Sequence, residues 1–283
     1  MSAGGQRQIL HPLDKYLRVD RLPHIWCPGC GIGIALGAML RAIDRAIAEG
    51  KASRDNIVFV TGIGCSARVS FYTDFDSAHT IHGRAIPFAA GVKLANPSLE
   101  VVVVGGDGDI AGIGVGHLVH AARRNMDMIV VMITNFVYAM TGGQVAPTTP
   151  RGVYTTTTPR GNYEPPINVV KLVASLNANY VARASVTLPV YIERFFYRAL
   201  GMRGFRFIEV VSTCPEVYGR HIGIGSPVEL FNTLRKMVKY KPNPVIDESD
   251  IDWGRGQIVV GEYVVRDNPG FVELYRGTGG VAR

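Results

Sequence analysis

No stretch of this 283-residue sequence is apolar for long enough to cross a bilayer. The longest such runs lie near Val101–Val104 and Met128–Ile133, far short of the roughly 20 residues a spanning helix needs. Met1–Leu10 is polar and glycine-bearing, without the apolar centre of an export signal. These two absences predict a cytoplasmic chain with no membrane partner. Charge is also scarce: Asp, Glu, Lys and Arg make up 19% of the residues, less than the usual quarter, which points to surface covered by a second chain. The balance is basic, +7, which favours acidic partners. No Lys/Arg run with interleaved aromatics accompanies it, so nucleic acid is not expected as a partner. No internal repeat is present, which excludes solenoids and propellers.

Cysteine is scarce too, and its placement is informative. The four cysteines are Cys27 and Cys30 in Trp26-Cys27-Pro28-Gly29-Cys30-Gly31, Cys65 in Gly62-Ile63-Gly64-Cys65-Ser66, and Cys214 in Thr213-Cys214-Pro215. Each sits at a glycine- or proline-marked turn, and turns can aim several thiolates at one point. A tetrahedral metal centre or a cubane iron–sulfur cluster needs that arrangement. Disulfides suit a reducing compartment poorly. Structural zinc usually pairs two short knuckles, whereas here one pair is short and the other two cysteines are remote. The spacing therefore favours a cluster, with a zinc-stabilised binding subunit as the alternative from a different class.

The rest of the chain reads as alternating helices and strands. Helices are predicted over 31–49, 82–96, 110–124, 167–177 and 189–200, and strands over 57–61, 99–104, 128–134, 179–184 and 205–211. The aliphatic strands show no polar alternation, so both of their faces are buried. That predicts an α/β, doubly wound, mostly parallel sheet. Residues 142–166, with five prolines, read as a long ordered loop or lid. We expect a domain over 1–240 and an irregular C-terminal extension, 241–283, that wraps the domain or a partner.

The second constellation is Gly105-Gly106-Asp107-Gly108-Asp109, which joins the strand at 99–104 to a helix. Gly106, Gly108 and Ala111 satisfy a loose dinucleotide pattern, so a nicotinamide-dependent oxidoreductase is one reading. Two carboxylates in such a loop would repel a pyrophosphate unless a divalent cation lay between them, and Mg²⁺ takes carboxylate, phosphate and water oxygens. One helix and one strand later, where a ribose-binding acid would stand, the chain has Thr134-Asn135-Phe136; an amide there is a neutral oxygen ligand. Beyond it, Thr141-Gly142-Gly143-Gln144 offers a hydroxyl and backbone N–H groups for phosphate oxygens.

The glycine–aspartate turn followed by Asn135 is similar to the thiamine-diphosphate motif. Together with Trp26-Cys27-Pro28-Gly29-Cys30-Gly31, Gly62-Ile63-Gly64-Cys65, His82-Gly83-Arg84-Ala85, Thr141-Gly142-Gly143-Gln144 and Thr213-Cys214-Pro215, it makes the chain resemble the β subunit of a 2-oxoacid:ferredoxin oxidoreductase, closest to the 2-oxoglutarate type. The resemblance implies a thiamine-diphosphate-binding fold and three cofactors: thiamine diphosphate, Mg²⁺ and one [4Fe–4S] cluster. Cys27, Cys30, Cys65 and Cys214 would ligate the cluster. Asp107 and Asn135 would ligate Mg²⁺ by side chain, and Val137 by its backbone oxygen. Gly106, Gly108, Asp109, Thr141 and Gly142 would hold the diphosphate. Cys65, Ser66 and His82 would border the cofactor, with His82 the catalytic candidate. The implied reaction is oxidative decarboxylation of a 2-oxoacid with coenzyme A to acyl-CoA and CO₂, the electrons passing to ferredoxin. The implied partners are an α subunit, which supplies the glutamate that activates the cofactor, ferredoxin, the 2-oxoacid and coenzyme A. Pyruvate or a branched-chain 2-oxoacid is the alternative substrate.

Other polar residues invite weaker readings. His79, His82, His117 and His120 resemble a ligand set, but no carboxylate accompanies them at ligand spacing, so packing and capping roles are expected. A dicarboxylic substrate needs a cation for its distal end. Arg84, Lys93, Arg123 and Lys171 are the candidates in this chain.

Overall fold

The computed structural model describes residues 11–251 and 256–277. The stretch on which the export reading rests, Met1–Leu10, lies outside the described residues, as do 252–255 and 278–283 of the expected tail. Ten strands are present among the described residues: β1 (Ile57–Thr61), β2 (Asp76–His79), β3 (Glu100–Gly106), β4 (Met128–Thr134), β5 (Val137–Tyr138), β6 (Gln144–Val145), β7 (Tyr180–Ser185), β8 (Phe205–Val211), β9 (Val238–Tyr240) and β10 (Ile258–Val265). The helices are α1 (Ile32–Ala48), α2 (Val69–Tyr72), α3 (Ala85–Ala95), α4 (Val115–Arg123), α5 (Val169–Ala174), α6 (Pro189–Leu200), α7 (Pro227–Met237) and α8 (Phe271–Gly277). No helix of the described residues is long and apolar enough to cross a membrane.

Eight strands form one sheet in the order β2-β1-β3-β4-β8-β7-β10-β9. The first six are parallel, whereas β10 meets β7 antiparallel and takes β9 alongside it. The small β5–β6 hairpin stands apart. The unbroken aliphatic runs have the cause expected of them. Val102, Val104, Ile129, Val131 and Ile133 face one layer with α1 and α6. Val101, Val103, Met128, Val130 and Met132 face the other with α3, α4 and α5. Successive residues of a strand point to opposite faces, so the middle of a strand covered on both sides, as in β3 and β4, is apolar on both faces.

Two departures from the expected elements have a clear local cause, alongside the unexpected β2, α7 and β9. The helix predicted from Ile110 begins instead as a π-helical turn, Gly108–Ile113, and kinks at Gly112 (φ −89°, ψ −106°) before α4 starts. The second departure is β10, which lies in a segment read as irregular. Gly261 interrupts its apolar pattern, and a Cβ there would stand 2.2 Å from the Lys241 carbonyl. The glycine that reads as a break is what lets neighbouring backbone pass close to the strand.

Candidate active site

Because β1, β3, β4 and β8 run parallel, the segments that follow them emerge at one edge of the sheet. Ligands bind at that edge in doubly wound folds. Gly62–Cys65 follows β1, Asp107 follows β3, Asn135 follows β4 and Cys214 lies three residues past β8. Two cavities open there.

The first, about 260 Å³, is lined by Cys65, Ser66, His82, Gly106, Asp107, Gly108, Asp109, Asn135, Val137 and Thr141, with Ile63, Tyr138 and Met140 supplying apolar wall. Of the cofactor-site residues expected from sequence for this cavity, Gly142 alone is not part of its wall; it follows Thr141 with φ +112°. Asp107 is 1% exposed. Its Oδ2 accepts the Phe136 N–H at 2.8 Å and the Thr148 hydroxyl, and its Oδ1 accepts the Gly108 N–H at 3.0 Å. Burial pushes the carboxyl up to about 6, against the pull of those three donors. Phe136 has φ +69°, a costly conformation for a bulky residue. It is held there by its N–H on Asp107 and its carbonyl on the Thr149 hydroxyl. The turn it makes separates Asn135 from Val137, both of which reach the cavity wall.

Asp109 behaves differently from Asp107. Its carboxylate is turned into the protein and accepts the Gly83 N–H at 2.7 Å and the Ile63 N–H at 3.4 Å. His82 Nδ1 lies 3.1 Å from the same oxygen. Burial raises the Asp109 carboxyl, opposed by the Gly83 N–H and by His82.

The second cavity, about 270 Å³, brings the four cysteines together. Cys27, Cys30, Cys65 and Cys214 line it with Trp26, Ile32, Met140 and Arg68. All four are free thiols. Their loops are tied to one another: Trp26 Nε1 donates to the Cys65 carbonyl at 2.8 Å, Thr213 Oγ1 to the Gly29 carbonyl at 2.8 Å, and the Gly31 N–H to the Thr213 carbonyl at 3.2 Å. Burial pushes the Cys30 thiol up to about 12 and raises Cys65 and Cys214 as well. Such thiols stay protonated and inert unless a metal takes the thiolate. Among the described residues, no three His, Cys, Asp or Glu side chains converge closely enough to hold a single ion. The two cavities share Cys65, Asn135, Ala139 and Met140 as a common wall.

The remaining candidates fall outside both cavities. His79 bonds the Thr61 hydroxyl at 2.9 Å, and His117 and His120 lie on α4. Lys93 donates to the Pro97 and Leu99 carbonyls, Lys171 to Asp247, and Arg84 to the Gly83 carbonyl. Two functional features escaped the sequence reading. Arg68, three residues after Cys65, lines the cysteine cavity and lies over the Phe71 ring at 5.2 Å. Thr148 and Thr149, in the proline-rich segment, brace the Asp107–Phe136 turn from behind. The run of threonines was the available signal, but nothing in it said which strand end they meet.

Residues 62–210 match the family described as "Thiamine pyrophosphate enzyme, C-terminal TPP binding domain". The chain is 45% identical over 270 residues to the 2-oxoglutarate synthase subunit KorB of Methanothermobacter thermautotrophicus, covering 93% of this chain and 90% of that protein. It is 44% identical over 264 residues to the protein of the same name from Methanocaldococcus jannaschii, covering 93% and 96%. With a Sulfolobus protein named 2-oxoacid:ferredoxin oxidoreductase subunit beta it shares 43% identity over 193 residues, 67% of this chain and 62% of that one. Its fold matches a solved 2-oxoglutarate:ferredoxin oxidoreductase from Magnetococcus marinus, with 2-oxoglutarate, coenzyme A and succinyl-CoA bound, at a TM-score of 0.83 and 29% identity over 98% of this chain and 94% of that one.

Proposed function

The chain belongs to the β subunits of the 2-oxoacid:ferredoxin oxidoreductases, and from that premise we propose that its two adjoining cavities hold thiamine diphosphate with Mg²⁺ and one [4Fe–4S] cluster, in an enzyme that converts 2-oxoglutarate and coenzyme A to succinyl-CoA and CO₂. The shared wall of Cys65, Asn135, Ala139 and Met140 carries the reading: it sets a cavity ringed by four thiols against a cavity built at the strand edge. When bound, thiamine diphosphate supplies a thiazolium nucleophile and electron sink for decarboxylation, and the cluster supplies a one-electron outlet.

The residues present fit these groups. Asp107 offers a carboxylate, with its Oδ2 occupied by Phe136 and Thr148 and its Oδ1 carrying only the adjacent Gly108 N–H. Asp107, the Asn135 amide and the Val137 carbonyl are the oxygen donors for Mg²⁺, a hard cation. Gly106, Gly108, Thr141 and Gly142 supply backbone and hydroxyl donors for the diphosphate. A side chain at Gly108 would collide with Tyr138, its Cβ falling 2.2 Å from the ring. Four thiols that ring a cavity without converging on one point suit a polynuclear core, in which each sulfur binds a different iron. His82 and Ser66 border the reacting end.

No glutamate lines the first cavity among the described residues. Glu216 lines the other and pairs with Arg220, and Glu164 is exposed in the loop. The cofactor-activating glutamate therefore falls to an α subunit, and the electrons to ferredoxin. Among the described residues Arg68 is the one Lys or Arg in either cavity wall, and we assign it to the distal carboxylate of 2-oxoglutarate. Turnover of 2-oxoglutarate and pyruvate, with coenzyme A and a dye acceptor, tests the reading on the α–β complex. We expect a preference for 2-oxoglutarate, none of this turnover by the isolated chain, and a KM for 2-oxoglutarate raised about tenfold or more by Arg68→Met with pyruvate turnover unmoved, the effect of losing one charge-assisted contact. Full turnover by the isolated chain overturns the two-subunit assignment. An unchanged preference in Arg68→Met overturns the role of Arg68.

A further inference from the structure

We propose that Asp109 is a positioning residue: it keeps the ring proton of His82 on Nδ1 and so leaves Nε2 as the nitrogen that meets the ligand. The proposal rests on the reading of His82 as bordering the reacting end of the cavity, and deepens it.

The Asp109 carboxylate is built into the protein, not offered to a diphosphate. Its side chain is 1% exposed. It is wedged between two glycines that leave it room: a Cβ on Gly62 would fall 2.1 Å from Oδ2, and one on Gly105 2.7 Å from the same atom. Neither glycine has a positive φ, so space for this carboxylate, not backbone freedom, is what the two positions require. Oδ1 then gathers the N–H groups of Ile63 and Gly83. One carboxylate thereby ties the segment after β1 to the one that carries His82. A second negative charge facing the phosphates would weaken their binding; turned inward, it does not.

His82 completes the arrangement. Its Nδ1 is buried and 3.1 Å from Asp109 Oδ1, while the side chain as a whole is 32% exposed. The exposure therefore belongs to the opposite edge of the ring, which carries Nε2. The Nδ1–Oδ1 separation is that of a hydrogen bond, but the two groups are not aligned for one. Bonds of this kind often align only when ligand fills the site. An anion beside Nδ1 favours the tautomer with its proton there, and the partner of one imidazole nitrogen decides what the other can do. Nε2 is left to exchange a hydrogen bond or a proton with the bound 2-oxoacid, and Asp109 acts only through it.

The test uses the α–β complex with the β chain labelled by ¹⁵N-histidine, at a pH where His82 is neutral. His82→Asn identifies the resonances. We expect Nδ1 to appear protonated and Nε2 as the bare, pyridine-like nitrogen. In Asp109→Asn that preference collapses, and kcat/KM for the 2-oxoacid falls at least about tenfold, since losing the orienting partner of an imidazole can cost up to about 10⁴-fold, with thiamine diphosphate content unchanged. A proton on Nε2 in the native complex overturns the proposal, even if the Asp109 variant does not assemble. A native tautomer in Asp109→Asn also overturns it. Undiminished turnover by His82→Asn sinks the underlying assignment of His82 to the reaction instead, and the tautomer measurement keeps the two failures apart.

Discussion

Burial pushes the Asp107 carboxyl up to about 6, although the Thr148 hydroxyl and the N–H groups of Phe136 and Gly108 all favour the charged form. Three donors thus hold the charged form in a buried place, at a cost to the folded chain. The sign follows from linkage: a folded pKa above the unfolded one means stability that is fully present below the ordinary carboxylate range and is lost as pH rises through about 6. For the cofactor-free chain we expect this group to remove up to about 3 kcal/mol between pH 4 and pH 8. Asp107→Asn should flatten that slope in urea titrations while abolishing Mg²⁺-dependent cofactor binding. An unaltered slope would show that Asp107 is not the group at strain. That His82, Ser66, Asp107, Asn135 and the four cysteines meet at one sheet edge was legible because the motifs name them in order. Arg68 was not, since a single arginine in a loop carries no period and no turn signal.

At the scale of elements, the site depends on how β1 and β3 end. The carboxylate of Asp109 fills the space that Gly62 and Gly105 leave open, and the chain then passes through the π-helical turn Gly108–Ile113 into α4. Gly62→Ala would force the carboxylate out or part the strand ends, because the collision is with a buried, hydrogen-bonded group and not with a flexible tip. We expect a loss of about 1–3 kcal/mol of stability, as for overpacking elsewhere, and a lower cofactor content. Ordinary stability and full cofactor content would contradict this packing. The same elements show what the sequence could and could not display. β3 and β4 were visible because both faces are covered and the runs Val101–Val104 and Met128–Ile133 are apolar throughout. β2, with the sequence Asp76-Ser77-Ala78-His79 and only Ala78 apolar, gave no pattern, since it is an edge strand paired on one side. The kink at Gly112 was hidden because apolar spacing continues across it, and β10 because Gly261 breaks its pattern to let the Lys241 backbone pass.

For the whole molecule, the scarcity of charge and the incompleteness of the site have the same explanation. A chain with few charged residues and a cofactor cavity lacking a glutamate in its described wall is one part of a larger catalyst, and its +7 balance favours acidic partners. What the fold contributes is adjacency: parallel strands deliver the β1, β3, β4 and β8 termini to one edge, so cysteines far apart in sequence ring a cavity that shares a wall with the Asp107 site. Iron and acid-labile sulfide, counted in the chain purified without oxygen, test this most directly. The prediction is a brown protein with about four of each per chain, lost when Cys27, Cys30, Cys65 or Cys214 is replaced by alanine. A colourless protein carrying a single zinc ion, or iron that survives those replacements, would contradict it.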